Sequence, residues 1–142
     1  MGPVKPNPQK LYDPLRKKKV AAHPEEKVRQ SLVRWLIESV HVPQNQISTE
    51  FALSTLGPHF HGRADLVVWK PNPLKGGLKP WLLVECKAPS VVLDQTVSDQ
   101  VRRYAQNLSA EYVLVSNGTE TRYFKLGLDS YGEISTLPSY TN

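Results

Sequence analysis

The chain reads as one α/β domain, and three observations predict it. Two stretches carry apolar residues at helical spacing, over residues 24–40 and 96–108. Between and after them lie apolar runs of strand length, punctuated by Gly, Pro and Asn clusters. The 142 residues, 39% hydrophobic and 22% charged, suffice for a single core, with no internal repeat and no second domain. No apolar run approaches the roughly 20 residues needed to cross a bilayer. Residues 1–6 lack the apolar segment of a signal peptide, and the lone Cys86 excludes an internal disulfide and a cysteine-based zinc site. These features predict a cytoplasmic protein without a membrane partner; they leave its oligomeric state open.

The net charge of +5 is unevenly placed. Residues 1–24 hold Lys5, Lys10, Arg16, Lys17, Lys18 and Lys19 against Asp13 alone, while the remaining basic and acidic groups balance. Residues 1–22 therefore read as a basic arm or small hairpin turning at Asp13-Pro14, and residues 23–142 as the α/β domain. Such an arm can grip a phosphate backbone through counterion release, or serve only as a solubilising tail.

The first helix starts at His23-Pro24-Glu25-Glu26, with proline at the first helical position and acids in the first turn, where they favour the macrodipole. Val28, Leu32, Val33, Leu36, Ile37 and Val40 recur on one face, and the helix ends before Pro43. Glu25, three residues before Val28, shares that inward face, whereas Glu26 falls at its edge as a surface residue. Residues 46–53 alternate as a strand, with Ile47, Thr49 and Phe51 on one side and Ser48 and Glu50 on the other. A turn over 56–62 follows, and its His59 and His61 have no third zinc ligand close in sequence.

Strands over 63–69 and 81–87 flank a loop marked by Pro71-Asn72-Pro73 and Gly76-Gly77, so they are expected to pair antiparallel. Ala88-Pro89 breaks the second of them. The helix over 96–108 places Val97, Val101, Tyr104, Ala105 and Leu108 on its apolar side and aligns Gln100 with Tyr104 four residues apart. Strands over 112–116, stopped by Asn117-Gly118, and over 121–126 come next. Residues 127–142 read as a turn-rich tail.

The chemistry concentrates in Trp81-Leu82-Leu83-Val84-Glu85-Cys86-Lys87, an apolar run ending in two opposite charges. Strand side chains alternate, so Glu85 and Lys87 share a face and Cys86 takes the other as a small core residue. By itself the pair is most simply an ion pair at a sheet edge. Antiparallel pairing changes that reading, because it brings Asp65, at the start of its strand, to the same end of the sheet as Glu85 and Lys87. Two carboxylates and a lysine meet the needs of metal-assisted phosphodiester hydrolysis: hard oxygen ligands hold Mg²⁺, which acidifies water and neutralises charge on phosphate. Lys87 could orient or deprotonate the attacking water or stabilise the phosphate, and Glu25 could add a ligand from the helix. Arg63 could contact phosphate or pair with an acid.

In chain order, Glu25, Asp65, Glu85-Cys86-Lys87 and Gln100-Val101-Arg102-Arg103-Tyr104 resemble the acidic helix, Asp, Glu-x-Lys and Gln-x-x-x-Tyr of the PD-(D/E)xK nuclease superfamily. More closely, residues 24–30, Arg63-Ala64-Asp65, Val84-Glu85-Cys86-Lys87-Ala88-Pro89, Gln100 to Tyr104 and Ser116-Asn117-Gly118 resemble the amino-terminal nuclease domain of type I restriction enzyme motor subunits, including short stand-alone members. The likeness runs from about Leu11 to Tyr140. It implies a restriction-endonuclease-like core with a central mixed sheet flanked by helices, and Mg²⁺-dependent DNA cleavage with Mn²⁺ as a substitute ion. It also implies ligation by Asp65, Glu85 and the backbone carbonyl of Cys86, with Gln100 and Tyr104 shaping the site and contacting DNA. Ala64 stands where the superfamily's name has proline, and the chain carries no Walker-type phosphate loop, hence no motor.

Three functional readings follow. The first is a stand-alone metal-dependent endonuclease acting on DNA, with Asp65, Glu85, Lys87 and Glu25 catalytic and Arg63, Gln100, Tyr104, Arg16, Lys17, Lys18 and Lys19 binding nucleic acid. The second is a non-catalytic nucleic-acid-binding module that uses the basic N-terminus. The third is a nuclease subunit active only with a separate helicase or defence partner. An acidic cluster repels phosphate and has no use in a mere binding module, which favours catalysis.

Overall fold

The structure, a computed structural model, describes residues 10–13, 15, 18–21 and 23–141. β1 (Lys10–Asp13) and β2 (Lys18–Ala21) pair antiparallel as a hairpin. α1 (Pro24–Glu38) follows, then β3 (Ile47–Ala52), β4 (Arg63–Pro71), β5 (Leu78–Cys86), α2 (Gln95–Leu108), β6 (Tyr112–Ser116), β7 (Thr121–Leu126) and β8 (Tyr131–Ile134). β3 to β8 lie side by side in sequence order as one six-stranded sheet. Every pair is antiparallel except β5 and β6, which run parallel because α2 carries the chain back between them.

The helices cover opposite faces, giving an α/β fold with a central mixed sheet. Val28, Leu32, Val33 and Leu36 of α1 pack on Leu66, Val68, Leu82, Val84 and Leu114, and Val101, Ala105 and Leu108 of α2 pack on Val67, Leu83, Val113 and Val115. β5 and β6 are buried on both sides, which explains their unbroken apolar sequences. A bulge between Val68 and Trp69 makes Trp81 the extra residue of β5, and its ring joins the α1-side core. Asp94 caps α2 by accepting from the Val97 N–H at 3.0 Å.

The strand alternation expected for β3 fails at Glu50. That residue adopts φ 52°, so Phe51 packs with the α2-side residues rather than beside Ile47. Opposite it, Ala64 and Leu66 likewise belong to different faces. The break in both strands therefore falls at Glu50 and Asp65, beside the end of the sheet where the acids gather. The tail also departs from expectation: Tyr131 to Ile134 form the edge strand β8, and Leu137 and Tyr140 are buried in the α1-side core. Tyr140 donates its backbone N–H to Val40 O at 2.8 Å and its hydroxyl to Trp69 O at 2.9 Å. Lys70 Nζ lies 5.0 Å from both the Trp81 and the Tyr140 ring centres.

One buried charge ties the hairpin to the domain. Arg29 of α1 is only 3% exposed and donates to Asp13 Oδ2 at 2.9 Å, to Glu26 and to Thr49 Oγ1 at 2.8 Å. Asp13 is fully buried, and Gln30 adds a bond to Glu26 at 3.1 Å. The guanidinium fork thereby joins β1, α1 and β3, each carboxylate meeting the charge left by the other partners. The expected roles of the two glutamates are exchanged here. Glu26 turns inward to Arg29, and Glu25 is exposed. Val28, one turn on from the helix start, already abuts the Gly118 turn beyond β6, so Glu25 projects past the sheet end into solvent. Removing the guanidinium while leaving its acids, as in Arg29→Met, is expected to cost about 3–5 kcal/mol in chemical denaturation. A loss under about 1 kcal/mol contradicts the anchoring role.

Candidate metal centre and active site

Ladder pairing between β4 and β5 ends at Leu66 opposite Val84, one residue short of Asp65 and Glu85. At that point a side chain replaces the backbone: Asp65 Oδ2 accepts the Cys86 N–H at 2.7 Å. On its other edge β5 stays paired with β6 through Glu85, opposite Val115, and Cys86, opposite Ser116, and the Lys87 N–H donates to Ser116 O at 2.8 Å. β5 is thus held on both edges up to its last charged residue. Alternation then places Glu85 and Lys87 on the α2 face with Leu83, and Cys86 on the α1 face in the core.

The result is a crowded pair of acids. Asp65 and Glu85 stand side by side at the adjoining ends of β4 and β5, and Lys87 Nζ lies 3.6 Å from Glu85 Oε1. The Glu85 side chain is 23% exposed. Burial first, and the neighbouring Asp65 charge second, push its pKa up to about 8, with Lys87 offsetting part of the rise. Burial, with the same two acids close by, also pushes the Cys86 thiol up, so the thiol stays protonated and inert in the core.

The donor set fits a hard divalent cation. Two acids held close together make it costly to ionise both, and a divalent cation would relieve that cost. Among the described residues no three His, Cys, Asp or Glu side chains converge on one point. Two carboxylates would suit Mg²⁺, which keeps waters and shares substrate phosphate rather than filling an all-protein cage. Glu25 stands outside the pair, although its charge reaches the Cys86 thiol across the α1 side.

Of the remaining candidates, one is placed at this end of the sheet by a contact. Tyr104 on α2 is exposed and lays its ring against Gly62, where an added Cβ would sit 3.5 Å from the hydroxyl; Gly62, with φ 86°, immediately precedes β4. Gln100 lies one turn before it on α2, also exposed, as are Arg63 and Lys18. Arg16, Lys17 and the side chain of Lys19 lie outside the described residues. Sequence reasoning missed Asp13 and Arg29. The available signal was position: Arg29 falls within the apolar stripe of α1, and a cation there requires buried acids.

An acid pair and a lysine at the shared end of two central strands, in a mixed sheet with a helix on each face, define an α/β domain with a restriction-endonuclease-like core. The family model for the N terminus of type I restriction enzyme R proteins (HSDR_N) matches residues 24–138, and the chain belongs to that family. No curated protein and no solved structure gives a significant match. Among the described residues, no helix is long and apolar enough to cross a membrane.

The raised Glu85 pKa sets a sign for pH dependence. Between its usual 4.5 and about 8 the folded protein holds a proton that the unfolded chain has lost. Its contribution to stability is therefore complete below about 4.5 and lost as pH rises toward 8. Metal-free thermal melts are expected to drop across that window, Asp65→Asn to flatten the drop, and Mg²⁺ to raise the melting temperature most at its alkaline end. Parallel pH profiles for wild type and Asp65→Asn contradict the coupling.

Proposed function

We propose that the protein is a Mg²⁺-dependent nuclease that hydrolyses phosphodiester bonds in DNA. The observation that carries this reading is the placement of Asp65 and Glu85 at the shared end of β4 and β5, with Asp65 bonded to the Cys86 N–H and Lys87 Nζ 3.6 Å from Glu85. Asp65, Glu85 and the Cys86 carbonyl would hold the metal. When bound, Mg²⁺ polarises the scissile phosphate and lowers the pKa of water. Lys87 supplies a cation to charge developing on the phosphate, from a position that Glu85 and the β6 rung fix. Glu25, exposed on the first turn of α1, would hold a metal-bound water. Gln100, Tyr104, Arg63 and the basic hairpin, with Arg16, Lys17, Lys18 and Lys19, hold the phosphate backbone.

The family's description as the N terminus of an R protein supports DNA as the substrate, and it favours a second reading in which activity requires a partner subunit. The discriminating experiment is a cleavage panel of single-stranded, duplex and branched DNA, with RNA for comparison, in Mg²⁺, Mn²⁺ or chelator. Wild type is expected to cut at least one DNA form in metal, and Asp65→Ala and Lys87→Ala to fall by about 100-fold or more. Cleavage that survives either substitution, or chelation, sinks the proposal. Wild-type inactivity relieved by a helicase subunit would establish the partner reading.

A further inference from the structure

The Ser116-Asn117-Gly118 turn lies outside the acid pair, yet three elements of the site meet on it. Ser116 O receives the Lys87 N–H at 2.8 Å, the last support of β5. Asn117, 6% exposed, sends its Nδ2 across to Val91 O at 2.8 Å, fixing the loop through which the chain leaves Lys87. Val91 in turn donates to Ala88 O at 2.9 Å, so residues 87–91 are fastened to the turn at both ends. Gly118, with φ 87°, brings the turn so close to α1 that an added Cβ would stand 3.0 Å from Val28 Cγ2, one helical turn beyond Glu25.

The turn itself is stiff. Asn117 Oδ1 accepts from Thr119 N at 2.9 Å and Glu120 N at 2.7 Å, Asn117 N donates to Glu120 O at 3.1 Å, and Ser116 Oγ accepts from Gly118 N at 3.1 Å. An amide is the side chain this position requires. Its oxygen closes the turn, as an aspartate would, while its nitrogen is the only group on it able to donate to Val91 O.

We infer that Asn117 is a positioning residue for Lys87: it anchors the exit of β5 so that the lysine keeps its place beside the acid pair. The inference rests on the nuclease reading for its kinetic consequence, but not for its structural one. Buried, closed bonding of this kind sets a catalytic group to within a fraction of an ångström through its support rather than by touching substrate.

Asn117→Asp tests it, because it keeps the turn acceptor and replaces the Nδ2 donor to Val91 O with an oxygen facing an oxygen. Asn117→Ser, which keeps a short acceptor and cannot span to Val91, serves as the second variant should the aspartate fail to fold. The expected result is a fall in kcat of about 10-fold or more with duplex affinity within about twofold of wild type. Amide exchange is expected to quicken about 10-fold at Lys87, as the local opening becomes easier. A kcat within twofold of wild type, a loss confined to KM, or an unchanged Lys87 amide overturns the inference. If wild type cuts no DNA either alone or with a helicase subunit, the nuclease reading fails, and Lys87 exchange in the two variants alone decides the positioning role.

Discussion

The structure turns on the enforced closeness of two acidic side chains, Asp65 and Glu85. Left to themselves, Asp65 and Glu85 would separate or pass into solvent. Neither can, because Asp65 is bonded to the Cys86 N–H and Glu85 is fixed in a β5–β6 rung. The surroundings make that restraint tolerable: apolar side chains on both faces of β4, β5 and β6 hold the strands in register up to the point where the acids begin. Stability is thus concentrated in the middle of the sheet and spent at one end, the arrangement expected of a site that must be rigid before its ligand arrives.

The molecule contains a second buried polar assembly, and the contrast is instructive. Around Arg29 the charges are closed, with Asp13, Glu26 and Thr49 meeting the guanidinium and leaving it 3% exposed. Around Asp65 and Glu85 they are open: two acids, one lysine at 3.6 Å, and access to solvent. A closed set specifies how elements pack, whereas an open one leaves its acids within reach of a cation from outside. The same residue types serve both purposes, and access to solvent separates them.

Much of this was legible in the sequence. The two amphipathic helices and the apolar strands announce themselves through period, and the end-to-end placement of Asp65 and Glu85 follows from one antiparallel inference across a Pro- and Gly-rich loop. What stayed hidden has physical causes. Glu50 takes a left-handed conformation that no alternation pattern signals, so Phe51 was assigned to the wrong face. β8 is four residues long with a glycine inside it, too short to show a period. The inward and outward glutamates of α1 were exchanged because helical spacing tells which residues share a stripe but not how far the first turn overhangs the sheet. Arg29 escaped notice because a charged residue is normally assigned to the surface.

The family match spans residues 24–138, yet Asp13 lies before it and Tyr140 after it. Asp13 supplies one of the acids facing Arg29, and Tyr140 lies edge-on to Trp81, their ring centres 5.2 Å apart. The unit that folds is therefore longer at both ends than the unit recognisable by descent. Excising the matched segment alone would strip a counter-charge from one side of the core and a lid from the other, so the borders of inheritance and of cooperativity do not coincide in this domain.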